Sequence, residues 1–177
     1  VVALTAFDLG ILHKEDREMG IGESLKLSAF YIGVALLFGG WVWFAANLDD
    51  GTDLTLSLVR DADGSYPLIY GTIVEPDGRT RHLDRDDFSL EVTERWTSPK
   101  TGADYPAGWT IAIPSADDLR IDLRPTVAAQ ELDTRRTTGV VYWEGSQVVR
   151  ATRAGSPIGG EAYVELTGYA PRVSEGP

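Results

Sequence analysis

Two patterns of apolar and polar residues divide the chain. From Leu27 to Leu48, LSAFYIGVALLFGGWVWFAANL runs without one Asp, Glu, Lys or Arg. About 20 apolar residues, rising 1.5 Å each, cross a hydrocarbon layer of ~30 Å. The run therefore predicts an N-terminal membrane helix over at least Leu25–Phe38, with Trp41, Trp43 and Phe44 suited to an interfacial aromatic belt. A second reading stays open at its C-terminal end. Gly33, Gly39 and Gly40 lower helix propensity, and WVWFAANL followed by Asp49, Asp50 and Gly51 fits a strand entering a hairpin turn.

Beyond Asp49 the period drops to two. Leu54, Leu56 and Leu58 alternate with Thr55, Ser57 and Val59, and Asp61-Ala62-Asp63-Gly64 supplies a turn glycine. LIYGTIV then runs to the turn Pro76-Asp77-Gly78. Further strands are predicted at Phe88–Trp96, Trp109–Ile113, Leu119–Leu123, Gly139–Trp143, Gln147–Thr152 and Ala162–Tyr169, with no helix between them. Short strands in such number predict an antiparallel sandwich or barrel, and a barrel of about eight strands is wide enough to be filled or to hold one small ligand. The expected fold is all-β, an antiparallel barrel behind one N-terminal transmembrane α-helix. Its expected segments are 1–46 in the membrane, 47–170 as the barrel and 171–177 as a tail.

Composition removes several functions. The 177 residues carry 16 Lys plus Arg against 27 Asp plus Glu, a net charge of −11, which repels phosphate backbones and argues against nucleic acid. Cysteine is absent, which excludes disulfides and thiolate chemistry, and His13 and His82 are the only imidazoles. No cofactor is expected. Lys14, Arg17 and Lys26 precede the apolar run, whereas Asp49, Asp50 and Asp53 follow it and no cation appears before Arg60. That asymmetry places the N-terminus in the cytoplasm and the β domain outside it, a membrane-anchored, extracytoplasmic domain. Glu23 in the leading region disfavours a signal peptide. With Val1 first and the only Met at position 19, a fragment or displaced start is expected.

Few groups suggest chemistry. Asp61 and Asp63 could open a calcium loop, but Glu75 falls outside its frame and a hairpin turn explains them. His82 beside Asp84, Asp86 and Asp87 could form an acid/base pair or simply end an exposed strand, and there is no GxSxG elbow. AGSPIGG lacks the strand and helix of a phosphate cradle and reads as a turn. Asp8, within VVALTAFDLGIL, is a weak metal candidate because an acid at membrane depth is costly. Aromatics are denser. Trp43, Tyr70, Trp96, Trp109, Trp143 and Tyr163, with Trp41, Tyr105, Tyr142 and Tyr169 near them, suit the walls of a pocket for a hydrophobic small molecule or the packing of a core.

WFAANLDDGTDL, YPLIYGTIV, YPAGWTIAIP, GVVYWEGSQV and GGEAYVELTGYA, spread over residues 41–170, resemble the carotenoid 1,2-hydratase-like (AttH-like) lipocalin-type family. The resemblance implies the C-terminal of two lipocalin-like β-barrel halves, acting on or carrying hydrophobic molecules, with a partner barrel expected. Some members hydrate acyclic carotenoids. The acidic and histidine-bearing motif of that family is missing ahead of WVWF, and Val42 stands where an Asp is common. FDLGILHKEDREMGIGESLKLSAFYIGVALLFGG, within residues 4–40, resembles part of the TerC family of integral membrane proteins, which implies an ion-handling fragment centred on Asp8. The two resemblances meet within Gly39–Asn47, as at a gene fusion, an assembly artefact or the seam of an artificial chimera.

The expected function is a membrane-tethered lipocalin-like domain that binds an isoprenoid or lipid-like ligand or packs on a partner barrel. The enzyme alternative is a hydratase- or isomerase-type activity on an isoprenoid, with Glu144, Glu165 and Asp122 as its candidate acids. Outward-facing glutamates favour binding, whereas one aimed into an aromatic cavity favours catalysis.

Overall fold

Tryptophan, valine and phenylalanine alternate from Gly40 to Leu48, and that stretch forms a strand, β1, rather than the end of a helix. Its inner residues Val42, Phe44, Ala46 and Leu48 are buried. The computed structural model describes residues 40–61 and 63–171, and the chain divides into two units, Val1–Val34 and Ala35–Pro177. The expected membrane helix at Leu25–Phe38, Asp8 and nearly all of the tail lie outside the described residues. Among those described, no helix is long and apolar enough to cross a membrane.

The remaining strands are β2 (Asp53–Arg60), β3 (Leu68–Val74), β4 (Thr80–Leu83), β5 (Ser89–Thr97), β6 (Asp104–Ile113), β7 (Leu119–Pro125), β8 (Glu131–Asp133), β9 (Val141–Arg153), β10 (Ser156–Ile158) and β11 (Gly160–Thr167). They form one curled antiparallel sheet in the order β4-β3-β2-β1-β11-β9-β7-β6-β5, with β8 and β10 also on β9. The expected closed barrel is therefore corrected to a half-barrel, because β4 and β5 end the sheet. The edge at β5 is broken by register shifts at Val92, Glu94 and Arg95. Bulges and charges of this kind blunt an open edge.

Turns follow the sequence signals. Gly64 and Gly78 sit at φ 87° and 82°, where a side chain would be strained. Asp63 Oδ1 accepts the Ser65 amide at 2.8 Å and Asp77 Oδ1 the Arg79 amide at 3.0 Å, so these acids serve the turns. The two strands expected at Gly139–Trp143 and Gln147–Thr152 are one strand, β9. Gly145 looks like a turn residue in Glu-Gly-Ser but lies in mid-strand. A Cβ there would stand 2.5 Å from the Gln130 side chain, which occupies that space.

The inner face is filled. Leu54, Leu56, Leu58, Ile73, Ile111, Ile121, Val164 and Leu166 pack around an aromatic run. Phe44 meets Trp109 at 5.3 Å, Trp109 meets Trp143 at 5.9 Å, and Tyr105 stacks on Trp143 at 6.3 Å and on Trp96 at 6.0 Å. Arg153 closes one end. Its guanidinium lies 3.0 Å from Asp50 and 3.3 Å from Glu75 and donates to Thr52 Oγ1 at 2.6 Å. At the other end the Glu131 carboxylate accepts from Ser98 at 2.8 Å, Thr101 at 2.6 Å and Tyr105 at 3.0 Å. Burial and that bond push the Tyr105 hydroxyl up.

Candidate functional site

Alternation that sends Val42, Phe44 and Ala46 inward sends Trp41, Trp43 and Ala45 outward. The two indoles lie side by side, 6.4 Å apart with planes 30° from parallel. Both are pinned across the neighbouring strand: Trp41 Nε1 donates to Ser57 Oγ, and Trp43 Nε1 to Thr55 Oγ1 at 3.1 Å. Pairing then extends this face in both directions. Tyr70 opposes Ser57, whose other partner is Trp43, and Tyr163 opposes Ala45. Tyr70 is 57% and Tyr163 41% exposed, and Leu68 and Val148 are exposed on the same side. The outer face of β3, β2, β1, β11 and β9 is thus an aromatic surface on a hydrogen-bonded frame.

Two acids sit within it. Glu165 opposes Trp43 on one side and Glu144 on the other. Burial, and then the charge of Glu144, push the Glu165 carboxyl above its ordinary range. Burial, with both carboxylates nearby, likewise raises the Tyr163 hydroxyl. The glutamates face away from the packed core and project between aromatic side chains on the outside.

The expected residues fall into three groups. Trp43, Tyr70 and Tyr163 share the outer face with Glu144 and Glu165. Trp109 and Trp143 are wholly buried in the core, and Trp96 is half-buried against Tyr105. Asp122, on β7, accepts from Thr110 at 2.5 Å and pairs with Arg120 at 3.0 Å, which engages its carboxylate in a local ion pair. His82 is exposed, 3.1 Å from Asp84 and with its ring 4.9 Å from that of Tyr70. Trp41 belongs to the face as much as Trp43 does. Their spacing of two was the available signal, because residues two apart on a strand share a side.

Residues 34–169, well over half of the chain, match the AttH-like family. The chain belongs to that family. The crystal structure of an AttH-type protein from Nitrosomonas europaea is 37% identical, with a TM-score of 0.65, over 75% of this chain and 39% of its own. Kievitone hydratase from Nectria haematococca shares the fold at 17% identity and a TM-score of 0.58, over 73% of this chain and 39% of its own. Among curated proteins, an uncharacterized membrane protein of Myxococcus xanthus is 28% identical over 42% of this chain and 23% of its own length. An uncharacterized membrane protein of Rickettsia bellii is 35% identical over 28% of this chain and 16% of its own. This AttH-like chain thus spans well under half the length of each of these proteins. Its outer aromatic face lies on strands within the matched region.

Proposed function

We propose that this AttH-like domain binds a hydrophobic, isoprenoid- or lipid-like molecule on its outer aromatic face, under a partner barrel of the kind that the family resemblance implies. One contrast carries the reading. The inner face is occupied by the domain's own side chains, with Trp143 and Tyr105 at 0% exposure, while Tyr70, Trp41, Trp43 and Tyr163 stand outside. Aromatic surface left open in this manner marks a site for apolar partners. The test is tryptophan fluorescence of the full chain in mild detergent during titration with retinol. Saturable quenching that weakens in Trp43→Ala supports the reading, and no quenching in a folded chain overturns it.

The outward direction of both glutamates favours binding over catalysis; what supports a second, hydro-lyase reading is the place of Glu165 beside Trp43, with a carboxyl that holds its proton more tightly than an ordinary glutamate. Such an acid protonates one carbon of a double bond, water adds to the other, and the water's spare proton returns to the carboxylate. An acyclic polyene that gains the mass of one water with the native chain, but not with Glu165→Gln, supports it. No gain of mass sinks it. Membrane tethering is supported by the apolar stretch Leu27–Gly39 that precedes β1 in the sequence and by the names of the two curated relatives. Retention of the chain in the membrane fraction after an alkaline wash tests that part.

A further inference from the structure

Half-buried carboxylates in this domain are answered by a donor, with two exceptions among the described residues. Asp122 has Arg120 and Thr110, Asp50 and Glu75 share Arg153, Asp87 accepts the Asp84 amide at 2.8 Å, and Glu131 takes three hydroxyls. Glu144 and Glu165 face each other directly across β9 and β11, and neither carboxylate has a hydrogen bond or an ion pair among the described residues. Like charges in that position destabilise a sheet. Trp43 borders the pair along β1, and Tyr163 lies close enough for both carboxylates to perturb its hydroxyl.

Two facing carboxylates with an indole and a phenol beside them provide opposite charge and π-faces for one cation. A second copy packed pair against pair would set its own carboxylates against these two. We propose that the molecule bound on the aromatic face is an amphiphilic organic cation, an ammonium or guanidinium on an apolar body, whose head sits between Glu144 and Glu165. This rests on the reading of that face as the apolar-ligand site and adds the charge of the ligand's head.

Three retinoids with one body and different heads separate the two ideas. The full chain in mild detergent is titrated with retinylamine, retinol and retinoic acid at neutral pH, with tryptophan quenching as the readout. Retinylamine is expected to bind about tenfold more tightly than retinol, with retinoic acid weakest. In Glu144→Gln/Glu165→Gln the ratio of retinylamine to retinol affinity is expected to fall from about tenfold to near one, the ratio being read whatever the retinol affinity itself. The double variant removes a repulsion, and its unfolding midpoint checks that it folds. Equal affinity for the three heads overturns the cation while leaving the apolar site intact. Failure of all three to quench overturns both. A preference for retinylamine that persists in the double variant assigns the cation to other residues and also overturns the proposal.

Discussion

Trp109 and Trp143 meet edge to face in the centre of the core, 5.9 Å between ring centroids and 64° between planes. Aromatic pairs prefer such geometry, and each indole here fills volume that no neighbour can take over. Trp143→Ala is expected to cost about 3–5 kcal/mol of folding stability, by the usual cost of removing a buried tryptophan. Urea unfolding followed by circular dichroism measures it. A loss below about 1 kcal/mol would mean that the inner face is a loosely filled cavity after all.

Gly71 faces the same core, where an added Cβ would stand 2.7 Å from Leu56 Cδ2 and 3.0 Å from Leu83 Cβ. Gly71→Ala should therefore overpack the sheet and destabilise it by about 1–3 kcal/mol. Leu56→Ala costs stability by itself, but in its background the Gly71→Ala penalty should shrink. A double-mutant cycle reads that coupling, and strict additivity would argue against the contact.

Arg153 has 16% of its side chain exposed and answers both Asp50 and Glu75. Arg153→Met is expected to cost about 3 kcal/mol, since it strands two partly buried carboxylates rather than merely removing a bond. Asp50→Asn/Glu75→Gln in the same background should recover part of the loss. Thermal melts at neutral pH are sufficient to compare the three.

The raised carboxyl of Glu165 sets the sign of a pH effect. A group that binds its proton more tightly when folded stabilises the fold at low pH, and that contribution is lost as pH rises through the folded value. The window starts at the ordinary value of 4.5 and extends upward. Glu165→Gln should thus be more stable than the native chain at neutral pH, with the difference vanishing below the ordinary value. Equal pH profiles for the two proteins would show that burial and Glu144 do not perturb the group.

Local alternation made much of the core legible. Leu54/Leu56/Leu58, which alternate with Thr55, Ser57 and Val59, are all buried, as are Trp109/Ile111/Ile113 and Leu119/Ile121/Leu123 within the strands expected there. At β1 the same signal left two readings open, of which the strand running into a hairpin turn is the one found, and the ambiguity has a physical reason. Trp41, Trp43 and Ala45 outside are as apolar as Val42, Phe44 and Ala46 inside, so the period of two vanishes and the strand merges with the charge-free run before it. Gly145 concealed the continuity of β9, because its need for glycine comes from Gln130, fifteen positions earlier in the chain. The site was legible only in its parts. Trp43, Tyr163, Glu144 and Glu165 could each be singled out by residue type, but what joins them is the register of β1, β11 and β9, and no short stretch of sequence encodes a pairing between strands so far apart.

That pairing also governs when the domain can exist during synthesis. Trp41 is among the first described residues and Thr167 among the last, yet they are partners in the middle of the sheet. Contacts between such distant segments return their closure entropy late. The β1–β4 meander can pair locally as it leaves the ribosome, but its aromatic strand waits for β11 with one edge bare. A nascent chain halted before Gly160 therefore holds two unjoined sheets, β4-β3-β2-β1 and β9-β7-β6-β5, and their shared core closes only once β11 has been translated.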